Sequence, residues 1–179
     1  SMNILTISTS PRKCGNSDTL CDRFMEGAQA AGHTCEKVRI AEKSIVPCKA
    51  CYGCTKTYRC VIKDDMNDLL DKTVAADCIV LATPVYFYSV SAQMKLFIDR
   101  CYARFRDMAG KKFILLVTAA DPDHDDMQTA LDTMRGLVRC IPNAQELGVI
   151  YGTSAWEKGD VERLPVMQTA YDMGRKLTD

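Results

Sequence analysis

Four cysteines, Cys48, Cys51, Cys54 and Cys60, sit in the polar run PCKACYGCTKTYRCVIKDDM at positions 47–66. Their spacing is C-x2-C-x2-C-x5-C. Thiolates ligate soft metals, and three at intervals of three let one stretch of chain wrap a single [4Fe–4S] cubane. The fourth lies near enough in sequence to complete the same cluster. Gly53 permits a tight backbone beside inorganic sulfide, and the polar neighbours leave amides free for the sulfurs. Zinc is the runner-up: a structural zinc site sets two cysteine pairs on well-separated knuckles, unlike this overlapping triplet. A reduced, metal-free loop is the third reading, which spacing alone leaves open. A disulfide framework belongs to smaller, secreted chains.

Two other segments carry a second chemistry. TSPRKCGNS at 9–17 follows an apolar strand and opens a helix. A helix N-terminus offers unpaired N–H groups and partial positive charge, which suit a phosphate. Ser10 and Ser17 add hydroxyl donors there, and Arg12 adds a charge-assisted contact. The run is neither G-x-x-x-x-G-K-[ST] nor G-x-G-x-x-G, so an ATP loop and a dinucleotide fingerprint are both disfavoured. Cys14, inside it, reads as a tolerated small residue. ATPVYFYSVSAQMKLFIDR at 82–100 places Pro84, Val85, Tyr86, Phe87 and Tyr88 just past a second apolar strand. That is more aromatic mass than an ordinary surface turn holds.

The elements that must position these residues follow from periodicity. Apolar strand patterns run over 3–8, 34–40, 77–84, 111–120 and 146–152. Helical patterns run from Ser17 to a stop at Gly32, then over 64–76, 89–105, 125–140 and 160–177. Alternation of β and α implies a parallel, doubly wound α/β sheet with helices on both faces. In strand order 2-1-3-4-5 the loops after strands 1 and 3 flank the switch point where ligands bind. One loop offers phosphate donors and the other a flat apolar wall, a combination suited to a phosphorylated planar ring such as FMN. The irregular stretch 41–63, after strand 2, is long enough to expect a function of its own. We read residues 1–179 as one domain.

Composition sets outer limits. The chain has 179 residues, 47% hydrophobic, with 23 basic and 23 acidic side chains. No basic field draws nucleic acid or anionic lipid. The longest apolar run, FILLV at 113–117, is too short to span a bilayer. The start SMNILTIS lacks a basic n-region and a long apolar core, so a cytoplasmic protein is expected. Of ten cysteines, Cys21, Cys35, Cys78, Cys101 and Cys140 lie scattered beside apolar residues and read as small buried hydrophobes. Lys95, Asp99 and Arg100 read as an ion-pair face on one helix. His124 reads as a solvated loop residue. Trp156 reads either as a shield for a bound ring or as an interface residue.

Taken in order, SPRKCGNSDTL and TPVYFYSVSAQMKLFIDR resemble the NAD(P)H-dependent FMN reductase family of flavodoxin-like proteins. The cysteine run narrows the resemblance to the iron–sulfur flavoproteins within it. The likeness extends from the first strand to about Gly110, with a weaker echo in KGDV near the C-terminus. It implies FMN held at its phosphate by Ser10, Arg12, Asn16 and Ser17. It also implies ring contacts from Pro84, Val85, Tyr86, Phe87 and Ser89, with backbone approach at Thr118, Ala119 and Ala120. Members often carry a glycine-rich loop after the fourth strand. Here that loop reads TAADPDHDDM, without glycine, and Asp121, Asp123, Asp125 and Asp126 oppose an anionic dinucleotide.

The function expected is therefore an FMN-dependent oxidoreductase passing electrons between FMN and a [4Fe–4S] cluster on Cys48, Cys51, Cys54 and Cys60. NAD(P)H is the implied co-substrate, and a small molecule or a ferredoxin-type protein the redox partner. The cofactor carries the chemistry, so no side chain is singled out as catalytic. The alternatives are an FMN-only NAD(P)H-dependent flavin or quinone reductase with a metal-free loop, and a non-catalytic flavodoxin-like carrier or zinc-stabilised module. The 86–88 aromatic patch and the long loop lead us to expect a homodimer or larger homo-oligomer.

Overall fold

The computed structural model describes residues 1–179. Five parallel strands form one sheet in the order β2-β1-β3-β4-β5. They are β1 (Asn3–Ser8), β2 (Thr34–Arg39), β3 (Cys78–Pro84), β4 (Lys112–Thr118) and β5 (Gln145–Gly152). Five helices connect and complete them: α1 (Asn16–Ala30), α2 (Met66–Ala75), α3 (Ala92–Arg100), α4 (Gln128–Cys140) and α5 (Val166–Arg175). The sheet order and helical layers are those expected from the sequence.

The continuous apolar strands build two cores, because successive side chains face opposite sides of a sheet. Ile79 and Leu81 of β3, with Phe113, Leu115 and Val117 of β4, pack under α2, α3 and α4. Val80 and Ala82 of β3, with Ile114 and Leu116 of β4, pack under α1 and α5. All seven residues of β3 are buried. β2, at the sheet edge, alternates between exposed and covered positions along its first four residues.

Helix limits depart from periodicity where local chemistry intervenes. The pattern over 89–105 shortens to α3 because the Ser91 side chain caps it, accepting from Met94 N at 3.2 Å, while residues 86–89 form a tight turn. Beyond Arg100 the chain tightens into short 3₁₀ turns. The pattern over 160–177 splits into a 3₁₀ turn at Asp160–Arg163 and then α5. Pro165 stands at the α5 N-cap, where a missing N–H costs nothing.

α1 and α5 cross at two glycines. A Cβ on Gly27 would lie 2.0 Å from Tyr171 O, and one on Gly174 would lie 2.2 Å from Phe24 O. Gly27→Ala is expected to cost at least about 1–3 kcal/mol of stability through overpacking. A Cβ on Gly136, in α4, would meet nothing within 4 Å. Gly136→Ala should instead stabilise by about 0.5–1 kcal/mol through helix propensity. Denaturant midpoints check both, and equal shifts in the two variants would refute the close crossing.

Candidate functional site

The loops after β1, β3 and β4 meet at the carboxyl edge of the sheet and are tied together there. Ser91 Oγ bonds Thr9 O at 2.9 Å, and Ser91 N–H donates to Thr83 Oγ1 at 2.9 Å. Val85 N–H donates to Thr118 O at 2.8 Å, and Ala119 N–H to Gly152 O at 3.2 Å. Each loop's position therefore depends on its neighbours' backbones.

In the first loop Gly15 occupies the α1 N-cap without a side-chain hydrogen bond, and the first-turn N–H groups of α1 have no protein acceptor. Such a terminus is an anion site. Its shape is held from beneath by Asp18. That buried carboxylate accepts from Ser8 Oγ at 2.6 Å and from Cys14 N–H at 3.1 Å. Arg39 Nε stands 2.9 Å from Asp18 Oδ2, an ion pair by distance without hydrogen-bond alignment. Sequence reasoning missed Asp18 and Arg39; a carboxylate in the first helical turn was the available signal.

The hydroxyls and amide expected to face an anion are engaged within the chain. Ser10 Oγ accepts from Arg12 N–H at 3.1 Å, and Ser17 Oγ shares a 2.6 Å bond with Thr118 Oγ1. Asn16 Nδ2 donates to Glu157 O at 3.0 Å and its Oδ1 accepts from Val161 N–H at 3.4 Å. These residues shape the loop and fasten the 153–163 segment over it. The donors left facing outward are backbone amides and the exposed Arg12, whose Nη2 also donates to Trp156 O at 3.4 Å.

The second loop forms a tight antiparallel turn, with Tyr86 and Ser89 exchanging backbone hydrogen bonds at 2.9 and 3.0 Å. Phe87 and Tyr88 at its tip have φ of 48° and 66°. Two successive positive φ values mark a type I′ turn, which ordinarily takes glycine or asparagine. Phe87 is wholly exposed.

A cleft of about 540 Å³ opens between these loops. It is lined by Arg12, Asn16, Pro84, Val85, Tyr86, Phe87, Thr118, Ala119, Ala120, Ala155 and Trp156. Ser10 and Ser17 are buried beside it, and Ser89 lies at the base of the turn outside the lining. Ala155 and Trp156 come from the segment after β5. The cleft combines a free helix terminus, an apolar wall and a size usual for small-molecule sites. That combination fits a phosphorylated planar ring such as FMN. His124 is exposed but stacks on Tyr151 with ring centroids 3.9 Å apart.

The cysteine segment stands beside α2 and α3. Cys48 and Cys51 are exposed, whereas Cys54 and Cys60 are half-buried against the core. Ala50 and Tyr52 have φ of 53° and 57°, so the chain coils back on itself between thiols. Burial raises the Cys54 thiol above its ordinary value, and nearby Cys60, Cys51 and Cys48 push the same way. Ala50 N–H already points at Cys48 Sγ, at 3.4 Å. The donor set, all sulfur and partly amide-solvated, fits an iron–sulfur cluster. No group of three or more His, Cys, Asp or Glu is placed to hold a metal ion, so the four thiols, though on one segment, are not gathered as ligands in this structure. Gly53 faces Val61, whose Cγ1 would stand 2.7 Å from a Cβ there.

Arg100 corrects the reading of an exposed ion-pair face. Lys95 and Asp99 do pair in solvent, at 2.5 Å, but Arg100 is 2% exposed and turns inward. Its Nη1 donates to Val46 O at 2.7 Å and Asp64 Oδ2 at 2.8 Å, and its Nη2 to Asp64 Oδ1 at 2.9 Å and Cys60 Sγ at 3.3 Å. Cys60 is also held by Asn67, which bonds both its N–H and its carbonyl. Among the scattered cysteines, Cys21, Cys78 and Cys101 are buried, and burial pushes the Cys78 thiol up to about 12. Cys140 departs from expectation and is exposed at the end of α4.

The family model described as NADPH-dependent FMN reductase matches residues 2–153. An iron–sulfur flavoprotein of Archaeoglobus fulgidus is 40% identical over 99 residues, 55% of this chain and 45% of that one. An iron–sulfur flavoprotein of Methanosarcina thermophila is 40% identical over 99 residues, 55% of this chain and 52% of that one. The chain thus spans about half the length of the curated relatives it matches. Among solved structures, an NAD(P)H:quinone oxidoreductase from Methanothermobacter marburgensis superposes with a TM-score of 0.76 at 16% identity, covering 100% of this chain and 97% of that one. This last likeness is one of fold. No helix is long and apolar enough to cross a membrane.

The Asp64–Arg100 pair gives a pH signature. Burial opposes ionisation of Asp64, but Arg100 and the N–H groups of Val46 and Met66 outweigh it and hold the carboxyl at about 2. Because the folded pKa is depressed, the pair's contribution is present above the unfolded value near 4 and is lost as pH falls toward 2. The loss amounts to about 2–3 kcal/mol. Asp64→Asn should remove this component, so wild type and variant converge in stability across that window. Denaturant unfolding as a function of pH measures it, and parallel curves for the two proteins would refute the assignment.

Proposed function

The chain belongs to the NADPH-dependent FMN reductase family, and on that premise we propose that it is an FMN-dependent oxidoreductase carrying a [4Fe–4S] cluster on Cys48, Cys51, Cys54 and Cys60. The observation that carries the flavin half is the cleft, which unites the free α1 terminus with the apolar wall at Pro84–Phe87. The cluster half rests on four cysteines of one segment, two of them half-buried against the core and one, Cys60, accepting from a buried arginine. When bound, flavin supplies two-electron exchange with a hydride donor and single-electron exchange with an iron–sulfur centre.

The chain's own residues bind and orient. The first-turn amides of α1 and Arg12 hold the phosphate, while Ser10, Asn16 and Ser17 flank it and keep the loop in shape. Pro84, Val85, Tyr86 and Phe87 form one wall for the ring, with Ser89 closing the turn that presents them. The backbone at Thr118, Ala119 and Ala120 would contact the ring as well, and Trp156, which lines the same cleft, would border it. The acidic segment at 121–126 stands next to this backbone and disfavours an anionic nucleotide there. A small molecule or a ferredoxin-type protein is the proposed redox partner, with NAD(P)H as the candidate co-substrate. Tyr86, Phe87, Tyr88 and Trp156 are 43–101% exposed and adjoin the cleft. A second copy of the chain covering this patch in a homo-oligomer accounts for them. A single domain over 1–179, working in the cytoplasm, completes the proposal.

The FMN-only reductase with reduced thiols is the competing reading, and the exposure of Cys48 and Cys51 favours it. Anaerobic purification separates the two: the proposal expects flavin together with about four irons per chain. Cys54→Ser should abolish the iron and leave FMN in place. Flavin without iron in the wild type would leave only the competing reading. Steady-state oxidation of NADH and NADPH, compared with electron exchange with ferredoxin, identifies the partner.

Arg12 supplies the phosphate contact with a fixed charge. Arg12→Ala is expected to weaken FMN binding about 10-fold, in line with about 1.5 kcal/mol for a hydrogen bond to a charged group. Flavin fluorescence titration reads this directly. Unchanged affinity would move the phosphate elsewhere.

A further inference from the structure

The hydrogen bonds of Arg100 leave one donor unmatched in a telling place. Nη1 and Nη2 meet the two Asp64 oxygens end-on, at 2.8 and 2.9 Å. The second Nη1 hydrogen goes to Val46 O at 2.7 Å, and the second Nη2 hydrogen to Cys60 Sγ at 3.3 Å. A guanidinium is planar with a fixed fork of five N–H groups. The Nη2 hydrogen not used by Asp64 therefore lies on the same edge as Nε–H and runs parallel to it. Nε is buried and has no acceptor in the chain. One edge of Arg100 thus presents two parallel donors toward the cysteine segment, one bonded to Cys60 sulfur and its neighbour unmatched.

Buried donors without acceptors are rare, and each calls for an explanation. The side chain has no freedom to correct the mismatch. Asp64 fixes it end-on, Val46 O fixes the far edge, and Asp64 is itself held by Val46 N–H at 3.0 Å and Met66 N–H at 3.0 Å. An acceptor for Nε would lie beside Cys60 Sγ, because Nε–H runs parallel to the N–H that meets it.

We propose that Arg100 is a positioning residue for the cluster, its Nε–Nη2 edge donating both to Cys60 Sγ and to a second sulfur beside it, an inorganic sulfide of the cluster. This rests on the cluster reading above and adds to it a residue outside the four ligands. Hydrogen bonds to cluster sulfur favour the more negative, reduced state and so raise the reduction potential. The rigid edge also fixes Cys60 before a cluster is assembled.

The test begins with wild-type protein, purified anaerobically, reduced, and carrying isotopically labelled arginine nitrogen. Pulsed electron paramagnetic resonance should show a weak coupling between the cluster and an arginine nitrogen, lost in Arg100→Lys. Arg100→Lys keeps a cation for Asp64 but not the planar edge. The double variant Arg100→Met, Asp64→Asn removes the pair without stranding a buried carboxylate. Both should retain FMN, titrate at a lower cluster potential, and lose iron to a chelator about 10-fold faster or more. A wild-type cluster without arginine coupling overturns the proposal whether or not the variants fold. So do an unchanged potential and unchanged iron loss in Arg100→Lys. Wild-type protein that holds FMN but no iron overturns the cluster reading itself, and with it this role for Arg100.

Discussion

A strand buried on both faces cannot end where it pleases, and β3 sets the terms for this molecule. Its seven residues are all covered, and it pairs with β1 on one side and β4 on the other. Parallel pairing sends all three strands to the same edge of the sheet. The loops that leave β1, β3 and β4 then have no choice but to meet. Thr9, Thr83, Ser91 and Thr118 sit at that edge as buried polar residues and bond one loop to the next. The cleft is a by-product of the sheet's order, and its walls are as firmly placed as the strands beneath them.

The two loops proposed to carry chemistry are fastened by the same device. The loop after β1 is held by Asp18, with Arg39 reaching across from the end of β2. The segment after β2 is held by Asp64, with Arg100 reaching across from the end of α3. Each carboxylate lies at or near the first turn of the following helix, where its charge also suits the helix dipole. Asp18 accepts one backbone N–H, from Cys14, and Asp64 two, from Val46 and Met66. Removing one partner of such a buried pair costs about 3–5 kcal/mol because the other charge is left unpaired. Shape at each loop is therefore enforced by charge burial, where apolar packing is thin.

These pairs also mark the limit of what the sequence disclosed. Strand and helix patterns gave the sheet order and both faces, since β3 and β4 are apolar without interruption and α1 carries Leu20 and Phe24 one turn apart. Nine of the twelve residues singled out for the cleft line it. Of those that do not, Ser10 and Ser17 are buried with their hydroxyls engaged inside the chain, and Ser89 lies at the base of the turn, a matter of geometry that residue type does not encode. Arg100 was misjudged because Lys95 and Asp99 nearby give it an obvious surface partner. Only the fold reveals that helix α3 turns this position toward residues 46, 60 and 64. Trp156, one of whose two readings is a shield for a bound ring, joins the cleft together with Ala155, and what brings both there is the long-range contact of the last loop with Asn16, which has no local signature.

The turn at Tyr86–Ser89 is where stability and function part company. Phe87 and Tyr88 both hold positive φ, which costs about 1–3 kcal/mol at each bulky residue. Glycine or asparagine would relieve that strain at once. Nor does burial compensate, for Phe87 is fully exposed and Tyr88 is 60% exposed. A turn that is strained, aromatic and uncovered gains nothing for the isolated fold. Its value has to come from contacts made beyond the chain, either with the flat ring proposed for the cleft or with a second copy across the patch. The backbone pairing of Tyr86 with Ser89 and the Ser91 anchor immediately after it hold the turn in this state in advance. The aromatic wall is therefore in place before anything binds, and binding need not bear the cost of forming it.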